Sequence, residues 1–340
     1  MMKQYNIAIV GATGAVGTIF IELLQSRKFP VKNIYPLGSE RSAGETVLFN
    51  NRPVVVGNAE DFDFSQVDIA FFSAGAAVSL HYADKVRKAG CVMIDNTSAF
   101  RYDDEIPLVV PEVNASAIKD YKNKSIIANP NCSTAQMVVA LKPIYDKVGI
   151  TRINVTTYQS VSGSGSEAIT ELVDQVGELL NGRPAKMNVY AKQIAFNLLP
   201  HIDDFQENGY TKEEMKMVWE TQKIFGDENI KVNATAVRVP VIYCHSEAVN
   251  IETREKISAD EVRALLKKTP GVKVLDTQKP GGYPTPLDAA GRDEVFVGRI
   301  REDISHPNGI NLWIVADNLR KGAALNSIQI AEVLIKEYLK

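Results

Sequence analysis

The chain has 340 residues, of which 45% are hydrophobic and 23% charged, and its formal net charge is −3. This composition is typical of a globular protein with room for two cores, and the small negative charge argues against a broad nucleic-acid surface. No run approaches the roughly 18 apolar residues of a membrane span, and no signal peptide precedes the first strand. Three cysteines and four scattered histidines form neither a disulfide framework nor a metal motif. We therefore expect a cytoplasmic protein without membrane, nucleic-acid or metal partners.

The first 128 residues alternate short apolar runs with helical patterns, which is typical of a parallel sheet covered by helices. The predicted strands are Tyr5–Val10, Asn33–Leu37, Val67–Phe72, Cys91–Ile94 and Ser125–Ala128. Helices are predicted near Gly14–Arg27 and Ala76–Ala89. Because the strands are continuous runs rich in β-branched and aromatic residues, both of their faces should be buried. We predict an α/β, Rossmann-type dinucleotide-binding domain over residues 1–128.

After residue 129 the pattern changes to a helix starting at Cys132 and then to long strands separated by helices. These strands are predicted at Ile153–Val161, Thr235–Val241, Cys244–Glu252, Val295–Arg301 and Ile310–Asp317. The last two are joined through His306-Pro307-Asn308-Gly309, a strong hairpin signal. We predict an α+β second domain over residues 129–319. The amphipathic helix Ala323–Leu339, within a last segment of about residues 320–340, is expected to pack back on the first domain.

A glycine-rich loop follows the first predicted strand and precedes a helical run. Gly11, Gly14 and Gly17 would permit a tight turn and let the backbone approach a pyrophosphate at the helix N-terminus. This spacing is a variant of the G-x-G-x-x-G fingerprint, and a plain glycine-rich turn is the alternative interpretation.

The segment after the second predicted strand bears on the choice of cofactor. An NAD site usually places an acidic residue there to bind the ribose 2′-hydroxyl. Here Ser39, Arg41 and Ser42 could hold a 2′-phosphate, Arg41 through a charge-assisted contact. Glu40 is an unfavourable neighbour for that phosphate, and Arg41 could instead lie on a solvated loop. The sequence favours NADP, with NAD left open.

One of the three thiols differs from the others in its position. Pro130 ends the preceding strand, so Cys132 falls at or near a helix N-terminus, where backbone N–H groups and the helix dipole lower a thiol pKa and stabilise an oxyanion. Cys91 and Cys244 are interpreted as core residues. His245 is the best histidine candidate for a proton acceptor, although a structural role is equally compatible with its surroundings. A dinucleotide fingerprint at the N-terminus together with a thiol nucleophile in mid-chain indicates reductive chemistry on an acyl group.

Four further segments carry a resemblance to a known family. They are Asn129-Pro130-Asn131-Cys132-Ser133-Thr134, Tyr158–Gly165, Arg238–His245 and Ala316–Ala323. Together with the glycine loop, and in the same order over essentially the whole chain, they resemble aspartate-semialdehyde dehydrogenase. The resemblance implies a Rossmann-type domain followed by a catalytic and dimerisation domain of the kind found in glyceraldehyde-phosphate dehydrogenase. It also implies a homodimer formed through the second domain, sometimes doubled to a tetramer.

The resemblance further implies the reaction and its small-molecule partners. NADPH-dependent reductive dephosphorylation would convert L-4-aspartyl phosphate into L-aspartate 4-semialdehyde and phosphate. This step belongs to the synthesis of lysine through diaminopimelate, and of threonine, methionine and isoleucine. Cys132 would attack the acyl carbon and expel phosphate to give a thioester. His245 would be the general acid/base, Gln159 would orient the acyl intermediate, and Asn131 would support the oxyanion together with main-chain N–H groups.

The resemblance also implies substrate and cofactor contacts. Arg238 would clamp the α-carboxylate, Arg101 and Lys223 would bind phosphate, and Glu220 would face the amine or carboxylate region. From the sequence alone, Glu220 and Lys223 could equally be an ordinary i,i+3 surface ion pair. The implied cofactor contacts are Gly11, Thr13, Gly14, Ala15, Val16, Gly17, Ser39, Arg41, Ser42, Ser73, Ser162, Gly163 and Asn318.

Three other interpretations remain to be weighed. N-acetyl-glutamyl-phosphate reductase uses the same thiol chemistry, but its motif usually has Gly where this chain has Asn131 and Tyr where it has Ser133. In glyceraldehyde-phosphate dehydrogenase the thiol lies in a Ser-Cys-Thr-Thr context that is absent here. A nucleotide sensor without turnover would be expected to lose the thiol or the base, yet Cys132 and His245 are both present.

Overall fold

A computed structural model describes residues 3–339 of the chain. It divides into two units, one formed by the described residues up to Asn131 together with those from Ala323 onward, and the other by Cys132–Gly322. These divisions lie a few residues beyond the ones predicted at 128/129 and 319/320. Over the described range, none of the helices combines the length and the apolar character that crossing a bilayer requires.

The first unit contains a six-stranded sheet in which every neighbouring pair is parallel. Its elements up to Asn131, in chain order, are β1 (Tyr5–Val10), α1 (Ala15–Ser26), β2 (Val31–Gly38), the hairpin β3 (Thr46–Phe49) and β4 (Arg52–Val55), β5 (Gly57–Asn58), β6 (Ile69–Phe72), α2 (Ala76–Lys88), β7 (Val92–Asp95), α3 (Pro111–Asn114) and β8 (Ile126–Ala128). Two 3₁₀ segments lie at Phe64–Gln66 and Ala115–Asn123. The strand order is β5-β2-β1-β6-β7-β8. The predicted parallel sheet is confirmed.

Buried apolar strands and one face of α1 form the core of this sheet. Ile7 and Ile9 of β1 are fully buried, and Phe20 of α1 stacks on Phe71 of β6 with ring centroids 4.7 Å apart. Complete burial of such a side chain contributes about 1.5–3 kcal/mol. The core therefore fixes α1 against the sheet, and with it the glycine loop that joins β1 to α1.

The second unit contains a six-stranded mixed sheet covered by helices. Its elements are α4 (Cys132–Val148), β9 (Ile150–Gln159), α5 (Ser166–Leu180), α6 (Lys212–Phe225), β10 (Lys231–Arg238), β11 (His245–Thr253), α7 (Ala259–Leu266), β12 (Val272–Val274), α8 (Pro286–Ala289), β13 (Val295–Glu302) and β14 (Gly309–Ala316). A 3₁₀ segment lies at Val161–Ser164, and a π-helical turn at Arg320–Ala324. The strand order is β10-β9-β11-β14-β13-β12.

The boundaries of two strands in this unit differ from the prediction by two or more residues, and those of the other predicted strands by one. β9 and β10 begin and end earlier than Ile153–Val161 and Thr235–Val241. The prediction followed the most apolar residues, whereas β10 is an edge strand on which exposed Lys231 and half-buried Asn233 also pair with β9. Gln159 and Arg238, which pair with each other, consequently become the last residues of their strands.

The C-terminal helix α9 (Leu325–Glu337) completes the core of the first unit. Its buried side chains follow helical spacing and include Leu325, Ile328 and Leu334. Polar contacts add to this packing, because Arg27 Nε donates to Glu332 Oε1 at 2.8 Å. A segment far along the chain thus belongs to the same core as β1 and α1.

Candidate active site

The glycine loop of the first unit has the geometry of a dinucleotide cradle. Gly11 has a φ of +92°, a conformation that L side chains rarely adopt, and its N–H donates to Leu37 O at 2.9 Å. A Cβ on Gly17 would lie 2.1 Å from Gly11 O and 2.7 Å from Ala12 Cα. The absence of a side chain at Gly17 is therefore what lets α1 begin directly against the turn. Ala15 and Val16 are the first residues of α1. The first main-chain N–H groups of a helix have no partner within the helix and form a site suited to an anion.

Replacing Gly17 with alanine is expected to push α1 away from the turn, because the contact at 2.1 Å is with backbone that cannot rotate aside. Overpacking of this kind costs about 1–3 kcal/mol, and we expect nucleotide affinity to fall at least 10-fold. Thermal unfolding and calorimetric titration with NADP would measure both effects. Gly14→Ala is the matched control for stability, since its Cβ would meet only Gly11 O at 3.4 Å. Unchanged stability and affinity in Gly17→Ala would contradict the cradle.

The turn after β2 lies beside this loop. Thr13 Oγ1 and Ser42 Oγ are 3.4 Å apart, whereas Ser39 and Arg41 are exposed. On the other side of the loop, Ser73 follows β6, and its Oγ would lie 3.1 Å from a Cβ on Gly11. Of the residues predicted for the 2′-phosphate, the structure thus places Ser42 in contact with the glycine loop.

Arg101 lies in a loop that follows β7 and is held by buried polar groups. Asp95, the last residue of β7, accepts hydrogen bonds from Ser79 Oγ at 2.7 Å and Thr97 Oγ1 at 2.8 Å. Burial nevertheless raises the pKa of Asp95. The Arg101 side chain is itself buried, and its Nη2 donates to Asn96 O at 3.3 Å. Asn131, also buried, is the last residue of the first unit before α9 returns to it.

Cys132 is the first residue of α4 and is half-buried. Gly322 lies directly against it, because a Cβ on Gly322 would be 2.6 Å from Cys132 Cβ. Cys91 and Cys244 are buried, and burial raises the pKa of both thiols far above its usual range. Of the three thiols, Cys132 therefore has the position suited to a nucleophile.

His245 is the first residue of β11 and is fully buried. Its Nδ1 accepts a hydrogen bond from the main-chain N–H of Ser160 at 3.0 Å. Gln136 lies on α4 one turn after Cys132, on the same face, and its Nε2 donates to His245 O at 3.3 Å. The start of β11 therefore lies against the face of α4 that carries the thiol. Burial, reinforced by the charge of Arg238, lowers the pKa of His245 to about 3.

Gln159 is held at both ends of its amide. Its Oε1 accepts from Thr157 Oγ1 at 2.9 Å, and its Nε2 donates to Glu213 Oε1 at 3.0 Å. The other oxygen of Glu213 accepts from Lys216 Nζ at 3.0 Å, and Lys216 Nζ also donates to Asp203 Oδ2 at 2.7 Å. Although burial opposes it, the two carboxylates raise the pKa of Lys216, so this ammonium group stays charged. Buried Glu213, half-buried Lys216 and exposed Asp203 form a charge network that fixes the orientation of the Gln159 amide.

Arg238 ends β10 beside Gln159 and points into the unit. Its Nη1 donates to Ser160 O at 2.7 Å, and its Nε is buried with no hydrogen-bond acceptor in the part of the chain that the structure describes. Arg238 also lines a cleft of about 670 Å³, together with His201 and Lys192. A buried guanidinium with unused donors at a cleft indicates a site for an anionic ligand group.

Ser162, Gly163 and Asn318 lie around the same histidine. Asn318 Nδ2 donates to Ser162 Oγ at 3.0 Å. A Cβ on Gly163 would lie 3.1 Å from Arg238 Nη1 and 3.3 Å from His245 Nε2. Gly163 therefore leaves open the space in front of both the guanidinium and the imidazole. These predicted cofactor residues belong to the same cluster as the predicted catalytic residues of this unit.

Glu220 and Lys223 lie on α6, which packs against α4 and β10. The Glu220 side chain is fully buried, whereas Lys223 is half-buried. The sequence left open that Glu220 forms an exposed ion pair on the surface. Because its side chain is fully buried, this alternative does not apply to Glu220. The carboxylate instead faces the interior of the unit that carries Cys132.

Comparisons with known proteins agree with this geometry. A family model described as the NAD binding domain of semialdehyde dehydrogenase matches residues 6–121. A second model, the semialdehyde dehydrogenase dimerisation domain, matches residues 141–321. The aspartate-semialdehyde dehydrogenase of Legionella pneumophila is 64% identical over 340 residues, covering 100% of this chain and 98% of that protein. The chain belongs to the aspartate-semialdehyde dehydrogenase family.

Solved structures of the family extend the comparison to the fold. Aspartate semialdehyde dehydrogenase II of Vibrio cholerae, solved in complex with ASA, has a TM-score of 0.97 and 59% identity, and the match covers 99% of each chain. The aspartate semialdehyde dehydrogenase of Candida albicans, solved with NADP, has a TM-score of 0.77 and 28% identity and covers 98% of this chain and 99% of that one. The resemblance inferred from the motifs is confirmed, and so is the two-part fold it implied.

In this member of the aspartate-semialdehyde dehydrogenase family, the structure shows further residues around the candidate site that the sequence analysis did not name. They are Gln136, Thr157, Ser160, Asp203, Glu213, Lys216 and Gly322. Two of them carried a readable signal: Gln136 lies four residues after Cys132 on a predicted helix, and Thr157 shares a strand face with Gln159. The others depend on contacts between distant segments or on the main chain, which a single sequence does not display.

Proposed function

We propose that the chain catalyses the NADP-dependent, phosphate-releasing reduction of L-4-aspartyl phosphate to L-aspartate 4-semialdehyde through a thioester on Cys132. Aspartate-semialdehyde dehydrogenase activity is that of the family. The observation that supports this mechanism is the position of Cys132 at the start of α4, on the helix face whose next turn contacts His245. The thiolate would attack the acyl carbon, the C–O bond to phosphate would break, and the carbonyl oxygen would carry the negative charge in between.

Each remaining residue has a role suited to its surroundings. Main-chain N–H groups at the start of α4, with Asn131, would stabilise the oxyanion. Gln159, held by Thr157 and Glu213, would orient the acyl group, and His245 would act on the reacting oxygen as the acid/base group. Arg238 would bind the α-carboxylate, Arg101 and Lys223 the phosphate, and Glu220 the region of the amine.

The glycine loop fits a dinucleotide, because Gly11 and Gly17 leave the space that a pyrophosphate and the start of α1 require. NADP would be held by the cofactor residues already named in the two units. When bound, its nicotinamide supplies the hydride. The structure known with NADP in the Candida relative supports NADP over NAD. Arg41 follows β2 in the chain, at the position where a 2′-phosphate would be bound.

Arg41→Ala is expected to lower NADP affinity about 10-fold or more while leaving NAD affinity unchanged, because a charge-assisted contact contributes about 1.5–3 kcal/mol. Glu40→Ala should act in the opposite direction, since it removes a negative charge next to the 2′-phosphate. Steady-state kinetics with both nucleotides would measure the two effects. An unaltered ratio of NADP to NAD efficiency in Arg41→Ala would contradict this assignment.

Arg238→Ala is expected to raise the KM of the amino-acid substrate at least 10-fold, with a smaller effect on nucleotide KM. A bidentate guanidinium–carboxylate contact is worth about 1.5–3 kcal/mol, and Arg238 is already positioned by Ser160 O. Arg238→Lys is the matched variant, because it keeps the charge but loses the planar fork. A substrate KM that stays at the wild-type value in Arg238→Ala would argue against this role.

The decisive experiment is phosphate-dependent reduction of NADP by the purified protein with L-aspartate 4-semialdehyde, run beside N-acetyl-glutamate semialdehyde. Turnover with only the first aldehyde is the expected result. Turnover with the acetylated aldehyde would move the chain to the other reductase class. Nucleotide binding without turnover on either aldehyde would favour the sensor interpretation.

We also propose a homodimer formed through the second unit, with a tetramer as the larger possibility. The match of residues 141–321 to a dimerisation domain supports this proposal. The cytoplasm suits the chain because none of Cys91, Cys132 and Cys244 forms a disulfide among the described residues.

A further inference from the structure

We propose that Glu171 and Gln175 of α5 are positioning residues for substrate binding. They hold the loop of residues 186–195 in place as one wall of the cleft of about 670 Å³ that Arg238 also lines. The anchoring of the loop concerns the resting protein alone. Its effect on substrate binding rests on the function proposed above, in which Arg238 binds the α-carboxylate.

The loop cannot satisfy its main chain through secondary structure. Residues 186–195 form neither helix nor strand, although Ile194 and Ala195 are fully buried. Buried main-chain N–H groups in proteins are almost always paired, so a loop of this kind needs acceptors from another element. α5 supplies them from two buried side chains one turn apart on the same helix face, those of Glu171 and Gln175.

The carboxylate of Glu171 binds the first half of the loop. Its Oε2 accepts from Asn188 N–H at 2.6 Å and from Val189 N–H, and its Oε1 accepts from Tyr190 N–H at 3.4 Å. Gln175 Nε2 also donates to Oε1, at 3.3 Å. Both oxygens of the carboxylate are therefore used. An amide in the same place would keep one acceptor oxygen and would direct its own N–H groups at main-chain N–H groups.

Gln175 binds the two ends of the loop. Its Oε1 accepts from Ile194 N–H at 3.0 Å and from Ala195 N–H at 3.1 Å. Its Nε2 donates to Lys186 O at 2.8 Å. Ile194 and Ala195 also pack in a small apolar core with Leu172 of the same helix. One amide side chain thus closes the loop, and the apolar core holds its second end against α5.

The anchored loop continues directly to Arg238. Leu199, which belongs to the same apolar core, donates from its N–H to Arg238 O at 3.0 Å and accepts from Arg238 N–H at 2.8 Å. From the other half of the loop, Tyr190 Oη donates to Ser164 Oγ at 3.1 Å. Ser164 ends the 3₁₀ segment that contains Gly163, against which the Arg238 guanidinium lies. The loop is therefore connected to Arg238 from two directions.

The loop also contributes its own side chains to the cleft. These are Val189, Tyr190, Ala191 and Lys192. Lys192 adds a positive charge to a wall that a substrate with carboxylate and phosphate groups would approach. None of the hydrogen bonds between α5 and the loop involves α4, which carries the reacting thiol. We therefore expect loss of the anchor to weaken substrate binding and to leave the chemical step unchanged.

Glu171→Gln tests the effect on the substrate, because it keeps the size of the side chain and removes one acceptor oxygen. The KM of L-aspartate 4-semialdehyde should rise about 10-fold while kcat and the KM of NADP stay near the wild-type values, as expected when only binding is lost. Asp174→Asn is the matched control, since Asp174 is exposed on the same helix, and it should have wild-type kinetics. A purely structural role would lower the temperature of thermal unfolding and leave KM unchanged. That result, or a fall in kcat at unchanged KM, would overturn the proposal.

Limited proteolysis with trypsin tests the anchor without turnover. Lys186 and Lys192 are exposed cleavage sites within the loop, and cleavage in a folded protein requires local opening of the main chain. Cleavage at these sites, identified by mass spectrometry, should be about 10-fold or more faster in Glu171→Gln than in the wild type or in Asp174→Asn. Equal rates in all three proteins would show that Glu171 does not hold the loop.

Gln175→Met is the second variant, and it replaces Glu171→Gln if that protein does not fold. Methionine has a similar length but forms none of the hydrogen bonds to Lys186, Ile194 and Ala195, so both readouts should change in the same direction. A faster cleavage of the loop in proteins that are inactive on the aldehyde would contradict the proposed function and the effect on binding, but not the anchor. The two failures are therefore distinguishable.

Discussion

Cys132→Ala is expected to abolish turnover while leaving nucleotide binding near the wild-type level. The thiol is the group that would form the covalent bond to the acyl carbon, and alanine has no atom that can replace it. Its removal should not disturb the glycine loop, which is built from residues of the other unit. The measurements are steady-state turnover with L-aspartate 4-semialdehyde and NADP affinity by calorimetry.

The other two cysteines provide the controls for this experiment. Cys91 and Cys244 are buried thiols whose pKa is raised by burial, so Cys91→Ala and Cys244→Ala should retain activity and lose only some stability. Loss of a buried sulfur in the cluster of Cys244 with Phe296 and Val315 would cost on the order of 1 kcal/mol. If Cys132→Ala kept even a few per cent of activity, Cys132 would not be the nucleophile.

Gly322→Ala is expected to lower kcat about 100-fold or more, although the residue has no functional group. An added Cβ would lie 2.6 Å from Cys132 Cβ and 3.0 Å from Cys132 Cα, so either the start of α4 or the π-helical turn must move. A displacement of about 1 Å at a reacting group can cost 100-fold in rate. Single-turnover kinetics and the rate of Cys132 alkylation would detect the displacement.

Gly177→Ala is the matched control for Gly322→Ala. Gly177 lies inside α5, and its added Cβ would meet no heavy atom within 4 Å. Alanine is preferred over glycine in a helix by about 1 kcal/mol, so this variant should be at least as stable as the wild type and fully active. If Gly322→Ala had the kcat of the wild type, the close contact between Gly322 and Cys132 would not be needed to position the thiol, and the prediction would be wrong.

The parallel sheet of the first unit could be predicted because β1, β6 and β7 are largely buried, mostly apolar runs. Ile69–Phe72, for example, is buried at every position and reads the same way in the sequence. In β2 the prediction that both faces are buried was wrong, because Lys32 and Asn33 are exposed. The hairpin of β3 and β4 was missed, although Asn50 and Asn51 carried its signal. Both have positive φ, at 51° and 59°, as a two-residue turn of type I′ requires. β3 alternates exposed and half-buried residues, β4 is exposed at three of its four positions, and neither contains a buried apolar run.

The candidate site was predictable only where a side chain carries the chemistry. Cys132 stood out by its place after Pro130, and the motifs brought Gln159, Arg238 and His245 with it. Glu213 could not be found, because it approaches Gln159 across 54 residues of sequence. Ser160 could not be found either, since its contact with His245 uses a main-chain N–H that every residue except proline has.

The return of α9 to the first unit has a consequence for the order in which the chain folds during synthesis. The second unit is one continuous stretch, Cys132–Gly322, and its core is complete once that stretch has left the ribosome. The first unit begins with β1 but lacks Leu325, Ile328 and Leu334 until the final helix emerges. Domains generally form in the order of their synthesis. Here the first unit is synthesised first but would be completed last. Until α9 is synthesised, the apolar surface that α9 covers would stay exposed and would need protection by chaperones.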